Sequence, residues 1–212
     1  MLGIIRVLST TDEQVLQEHA RLMEESHGFS AHTECIADQP HGIYDDASEA
    51  TAVPKIIELA HKLEARGDID AVSISCAADP ALAAAREAVR IPVLGAGECG
   101  AHAAMMVADK VAVIGISDDT PPRMRAILGD RFHSYRVSER HRRSTDLFAD
   151  DALESLHVEA QHAVNEGANA ILFACTGFST IGLKDYLAPR LQAPVIDLVQ
   201  AQANAYSLIQ KA

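Results

Sequence analysis

The chain has 212 residues, of which 48% are hydrophobic and 23% charged, and its formal net charge is −12. This length allows a normal hydrophobic core, in one large domain or in two small lobes. The acidic balance disfavours a phosphate-binding surface, so we expect no nucleic-acid partner. No apolar run approaches the roughly 20 residues of a membrane helix, so we expect no membrane partner either.

The cysteine usage and the start of the chain predict a cytoplasmic location. The opening MLGIIRVL lacks the basic start and the cleavage site of a signal peptide. Four cysteines in a chain without such a signal are typical of reduced thiols. No CxxC pair and no cysteine–histidine spacing typical of zinc occurs, so we expect no metal. The one basic run, residues 136–143, is interpreted as a solvated loop.

The first half of the chain alternates between apolar runs typical of strands and patterns typical of helices. The predicted strands cover residues 4–8, 32–36, 71–75 and 91–94. The first predicted helix begins after Thr11 or Asp12, the second covers residues 48–66, and the fourth covers 98–108. We expect Asp79 to cap the third helix and Pro80 to take its first position.

The second half repeats this series. The predicted strands cover residues 110–116, 132–137, 170–174 and 194–196. The predicted helices cover residues 121–128, 145–166, 182–190 and 197–210. A series of alternating strands and helices is typical of a parallel sheet with helices on both faces.

The repeat predicts an α/β fold of two similar doubly wound parallel-sheet lobes, related by a pseudo-twofold, with the active site in the cleft between them. The strand runs are apolar rather than alternating, as expected for strands buried on both faces. The first lobe would cover residues 1–97 and the second residues 98–196. We expect the terminal helix, residues 197–212, to pack back onto the first lobe.

Cys76 and Cys175 follow the third strand of each half. Ligands of open α/β sheets bind beyond the carboxyl ends of the strands, and a helix N-terminus lowers a thiol pKa from ~8.5 towards neutrality. We interpret the two cysteines as an acid/base pair on opposite sides of one substrate. The alternatives are buried cysteines that only fill space and a Cys76–Cys175 disulfide. We interpret Cys35 and Cys99 as space-filling residues.

The turns at the strand ends supply hydroxyl groups and backbone N–H groups that could hold a carboxylate or an imide. The predicted substrate-binding residues are Ser9, Thr10, Ala77, Ala78, Ser117, Thr176 and Gly177.

Four stretches resemble the aspartate/glutamate/hydantoin racemase superfamily, and its hydantoin racemase branch most of all. These stretches are CAADPALAAARE (76–87), IPVLGAGECGAHAA (91–104), ACTGF (174–178) and PVIDLVQA (194–201). The resemblance implies two α/β lobes, catalytic roles for Cys76 and Cys175, and no cofactor. Three departures are Ala77-Ala78 for the Asn-Thr of amino-acid racemases, Thr176-Gly177 for their Thr-His, and Leu8-Ser9-Thr10-Thr11 for the hydantoin branch's Asn-Pro-Asn-Thr.

We therefore predict an isomerase: a cofactor-independent racemase or epimerase of a small molecule with an acidic C–H next to a carbonyl. The favoured substrate is a 5-substituted hydantoin or a related ureide, and we expect a homo-oligomer. The alternatives are an aspartate/glutamate-type racemase, a maleate-type cis-trans isomerase with a covalent cysteine adduct, and a cytoplasmic ligand-binding module without turnover.

Overall fold

The strands form two four-stranded parallel sheets in the computed structural model, which describes residues 1–210. Numbered along the chain, the strand order is β2-β1-β3-β4 in the first sheet and β6-β5-β7-β8 in the second. The second order equals the first with four added to each number, so the two halves have the same topology. The predicted α/β class with two parallel sheets is confirmed.

The central strands of both sheets are buried along their whole length, which explains their continuous apolar runs. The first sheet contains β1 (Leu2–Arg6), β2 (Ala31–Cys35), β3 (Ala71–Ser75) and β4 (Val93–Gly95). The second sheet contains β5 (Val111–Gly115), β6 (Phe132–Val137), β7 (Ala170–Phe173) and β8 (Val195–Ile196).

Helices connect the strands and cover the sheets. They are α1 (Glu13–His27), α2 (Asp46–Ala65), α3 (Leu82–Ala88), α4 (Ala96–Val107), α5 (Pro122–Leu128), α6 (Ala152–Asn165), α7 (Gly177–Thr180), α8 (Leu183–Leu187) and α9 (Leu198–Ser207). Short 3-10 helices occur at Gly129–Arg131 and Ser144–Phe148. Within residues 1–210, no helix has the length and apolar character needed to cross a membrane.

Two predicted helices differ from the structure in extent. The helix expected at 145–166 is a 3-10 turn followed by α6, because residues 149–151 contain two aspartates, which favour turns over helix interiors. The helix expected at 182–190 is shorter than predicted: α8 covers only Leu183–Leu187, and Gly182, at φ +67°, separates it from the additional helix α7, which the sequence did not predict. Only a residue that tolerates the left-handed region fits this junction well.

The prediction for Asp79 is wrong. Helix α3 begins two residues beyond Pro80, and its N-cap residue, Ala81, provides no side-chain hydrogen bond. The Asp79 carboxylate instead accepts hydrogen bonds from the N–H groups of Gly97 (2.8 Å) and Glu98 (2.7 Å), in the first turn of α4. It therefore satisfies free donors of a different helix, which lies beside the turn that follows β3.

Helix α9 contacts the first sheet and its helices. Tyr206 packs edge-on against Phe29, with ring centroids 4.7 Å apart, and its hydroxyl donates to Asp70 at 2.7 Å. The amide of Gln202 donates to the carbonyl of Ile74 at 3.0 Å. The helix ends at Ser207, and residues 211–212 of the predicted terminal helix lie outside the described residues.

Candidate active site

A cavity of about 680 Å³ lies between the two sheets, at the carboxyl ends of their central strands. Its volume is within the range of small-molecule sites, and its place is the usual ligand position of open parallel sheets. The residues that directly follow β1, β3, β5 and β7 form much of its wall; they are Val7, Leu8, Cys76, Ala77, Ala78, Ile116, Ser117, Asp118, Asp119, Thr120, Ala174, Cys175, Thr176 and Gly177.

Seven of the nine predicted site residues line this cavity; they are Cys76, Ala77, Ala78, Ser117, Cys175, Thr176 and Gly177. Both lobes contribute, and the two cysteines come from equivalent positions of the two sheets. All four cysteines are free thiols. The fold thus brings two thiols to one cavity without joining them in a disulfide.

The structure does not bring Ser9 and Thr10 to the cavity wall. The hydroxyl of Ser9 donates to the carbonyl of Ile36 (2.5 Å) and accepts from the N–H of Gln39 (2.7 Å). The hydroxyl of Thr10 accepts from the N–H of Asp12 at 3.0 Å. Both hydroxyls therefore organise the turns after β1 and β2, and no sequence pattern distinguishes this use from ligand binding.

Burial, not helix polarity, dominates the pKa values of both cysteines. Burial raises the pKa of Cys76 to about 12, and a hydrogen bond from the backbone of Ala78 opposes this rise. Burial also raises the pKa of Cys175, against hydrogen bonds from the backbone of Gly177 and the side chain of Ser144. The expected fall towards neutrality is therefore wrong. Helix α3 begins only at Leu82, and the amides that begin the four-residue helix α7 do not outweigh the burial of Cys175.

Arg6, the last residue of β1, lines the cavity and was not predicted as a site residue. It is only 5% exposed, and its Nη1 donates to the carbonyls of Val15 (2.7 Å) and Leu16 (3.2 Å). It forms no ion pair with any residue in 1–210. Burial lowers the pKa of Arg6 to about 10, which leaves it charged at neutral pH. The sequence does contain a signal for Arg6 as a site residue, because a charged residue at the carboxyl end of an apolar strand is unusual.

His19 links the two lobes through two residues of the cavity wall. Its Nδ1 is 2.7 Å from the hydroxyl of Ser75, next to Cys76, and its Nε2 is 3.0 Å from the hydroxyl of Thr180 in α7. The hydroxyl of Thr176 also donates to the carbonyl of Ser75, at 3.2 Å. Burial lowers the pKa of His19 well below its usual value, so the ring is neutral. These bonds fix the two cysteine-bearing turns relative to each other.

The turn after Cys76 is held against α4. A Cβ added to Gly97 would lie 2.2 Å from the carbonyl oxygen of Ala77, so this contact requires glycine. Burial raises the pKa of Asp79, the second anchor of the turn, to about 7, while the amides of Gly97 and Glu98 and the charge of Arg123 oppose the rise.

Comparison with known proteins identifies relatives over nearly the whole chain. A model of the Asp/Glu/Hydantoin racemase family matches residues 2–206. Hydantoin racemase from Pseudomonas sp. (strain NS671) is 34% identical over 172 residues, which are 76% of this chain and 66% of that protein. Hydantoin racemase from Rhizobium meliloti is 34% identical over 187 residues, which are 81% of this chain and 74% of that protein. The chain thus spans about two thirds to three quarters of these relatives.

The structure of allantoin racemase from Klebsiella pneumoniae shares the fold. It superposes with a TM-score of 0.80 at 24% identity, and the match covers 98% of this chain and 86% of that one. The resemblance seen in the sequence is confirmed by the family match and by the two relatives. The chain therefore belongs to the Asp/Glu/hydantoin racemase family, whose members named here are racemases, and it is an isomerase.

Proposed function

We propose that the chain is a cofactor-independent racemase or epimerase in which Cys76 and Cys175 are the two acid/base groups. The observation that supports this most directly is the pair of free thiols, one from each lobe, on the wall of one cavity. One sulfur, as thiolate, takes the proton from the substrate carbon. The other sulfur, as thiol, gives its proton to the opposite face of the resulting carbanion. The two sulfurs have then exchanged protonation states.

The proposed substrate is a 5-substituted hydantoin or a related ureide. The relatives named hydantoin racemase support this class, as does the fold shared with an allantoin racemase. A ring carbonyl next to C5 acidifies the C5–H bond, so a thiolate is a sufficient base. We propose that Ala77, Ala78, Ser117, Thr176 and Gly177 surround the ring, where backbone N–H groups can stabilise enolate charge.

In the two-base mechanism, inversion needs both thiols, whereas exchange of the α-proton with solvent needs only one. Measuring inversion and exchange separately therefore tests the mechanism. Inversion of 5-substituted hydantoins, allantoin, aspartate and glutamate is followed by circular dichroism, and loss of the α-proton signal in D2O by NMR. We expect at least one hydantoin or ureide to invert. Cys76→Ala and Cys175→Ala should each reduce inversion about 100- to 10,000-fold, while the remaining thiol still exchanges the proton of one enantiomer.

Cys99→Ala is the matched control, because Cys99 is a free thiol outside the cavity wall, and it should invert at the wild-type rate. A Cys76 or Cys175 variant that inverts at the wild-type rate would remove the two-base mechanism. A mass increase on either cysteine after substrate trapping would assign covalent cis-trans isomerisation instead.

A further inference from the structure

We propose that Arg6 binds a carboxylate of the substrate, so that this site selects a carboxylate-bearing ureide over a neutral one. This inference rests on the proposed function and names the substrate class of the same cavity. It follows from the burial, the hydrogen bonds and the position of Arg6.

Arg6 differs in burial from every other charged residue of the cavity. Four carboxylates of the wall, Asp45, Asp46, Asp118 and Asp119, are exposed, and Glu49 and Arg142 are half-buried. Arg142 also pairs with Asp118. The charges of these residues are therefore hydrated or paired at the rim. Only Arg6, at 5% exposure, brings a charge to the interior.

The guanidinium of Arg6 has unused hydrogen-bonding capacity. Of its nitrogens, Nη1 alone donates within residues 1–210, and both acceptors are neutral backbone carbonyls of α1. A buried cation without an anionic partner is costly, because protein atoms replace its water and return little charge interaction. The Nε and Nη2 edge offers the two parallel donors that match a carboxylate. A substrate carboxylate would supply the missing anion.

Arg6 lies close to the proposed chemistry. Its positive charge acts on Cys175 and lowers the pKa of that thiol, against the larger effect of burial. A carboxylate held by Arg6 would therefore lie on the Cys175 side of the cavity. The same proximity offers another role for Arg6, as the counter-ion of the Cys175 thiolate alone. The two roles differ in substrate dependence: a counter-ion favours all substrates equally, whereas a carboxylate partner favours anions.

A pair of ligands that differ only in charge distinguishes these roles. We would measure by calorimetry the Kd of 5-carboxymethylhydantoin and of its amide, 5-carbamoylmethylhydantoin, for the wild-type protein, Arg6→Gln and Arg6→Lys. We expect the wild type to bind the carboxylate about 10- to 100-fold more tightly. Arg6→Gln should abolish this preference, and Arg6→Lys should retain part of it. Arg142→Gln, at the rim, is the matched control and should retain it fully.

The wild-type comparison needs no variant, so misfolding of Arg6→Gln cannot decide the result. Equal binding of the two ligands, tighter binding of the amide, or no measurable binding of the carboxylate overturns the inference. Aspartate is a third ligand. If it binds more tightly than 5-carboxymethylhydantoin and this binding depends on Arg6, the ureide class is overturned, because Arg6 then recognises the carboxylate of a free amino acid.

The binding and turnover measurements test the inference and the proposed function separately. A carboxylate preference that depends on Arg6, without α-proton exchange in any ligand, overturns the proposed function and retains the inference. Neutral hydantoins that invert and bind as well as the carboxylate overturn the inference and retain the proposed function.

Discussion

Cys76, Cys175 and Arg6 share one physical influence in the cavity, which is loss of water. Burial raises the pKa of Cys76 and Cys175 and lowers the pKa of Arg6. In each case the neutral form is stabilised relative to the charged form, because a low-dielectric surrounding disfavours charge of either sign. The protein opposes this with hydrogen bonds from the backbones of Ala78 and Gly177.

This balance predicts an alkaline pH–rate profile. Because both thiol pKa values are raised, the thiolate fraction should increase about tenfold per pH unit above neutrality. We expect kcat/KM for inversion to increase in the same way between about pH 7 and pH 9. Circular dichroism over the same range would control for unfolding. A plateau that begins at neutral pH would show instead that helix polarity lowers a thiol pKa, as the sequence suggested.

Sequence reasoning finds the cysteines of the cavity but not their environment. Cys76 and Cys175 are recognisable because each follows the third strand of a repeated series. The burial of Arg6 is not recognisable, since it depends on how α1 packs against the end of β1 in the folded chain. The prediction that the Ser9 hydroxyl faces the cavity is wrong for a related reason. The backbone of residues 36–39 approaches its hydroxyl only in the folded chain.

At the scale of elements, α4 is the support of the first cysteine turn. Its first turn donates to Asp79, and its second residue, Gly97, touches the backbone of Ala77. The helix therefore fixes the position of the residues that follow Cys76.

Gly97→Ala should disturb this support. The added Cβ would meet a backbone oxygen, which cannot move aside as a flexible side chain can. We expect a loss of about 1–3 kcal/mol in the free energy of unfolding and a decrease of about 100-fold in inversion through displacement of Cys76. Urea denaturation and circular dichroism measure the two effects. His102→Ala, on an exposed position of the same helix, is the control; wild-type inversion by Gly97→Ala would contradict the argument.

The elements were predictable where local signals and tertiary structure agree. The bounds of β3 and β6 match the predicted residues 71–75 and 132–137, since a turn that contains a glycine, Gly67 or Gly129, precedes each strand. The interruption at residues 149–151 has a local signal in its two aspartates, whereas the cap by Asp79 depends on a contact far away in the sequence. No local sequence pattern indicates that Asp79 caps α4, a helix that begins at Ala96.

For the whole molecule, the same strand order in both halves explains why the cavity lies where it does. Each sheet ends in turns that line the cavity, and the interactions of His19 with Ser75 and Thr180 hold these two ends together. Asp79 adds a further connection, because its carboxylate lies 4.0 Å from Arg123 in the second half of the chain.

The burial of Asp79 makes stability dependent on pH. Its pKa is about 7 in the folded chain and ~3.9 when unfolded, so the folded state binds the proton more tightly. The contribution is present below the unfolded pKa and is lost as the pH rises through 7. We expect the free energy of unfolding to fall by about 2 kcal/mol from this residue between pH 5 and pH 8.

Urea denaturation at both pH values measures this decrease. Asp79→Asn should remove it, and the exposed Asp130→Asn should leave it unchanged. A decrease of the same size in Asp79→Asn would assign the pH dependence to other groups.

The two cysteines occupy equivalent strand ends but unequal surroundings, since Cys175 is buried and under the charge of Arg6 while Cys76 is half-buried. In water, mirror-image molecules have equal free energies, so the equilibrium constant of a racemisation is one. The Haldane relation then requires equal kcat/KM for the two enantiomers, whatever the asymmetry of the site. Unequal surroundings can therefore only divide that common value differently between kcat and KM, giving one enantiomer tighter binding and slower turnover.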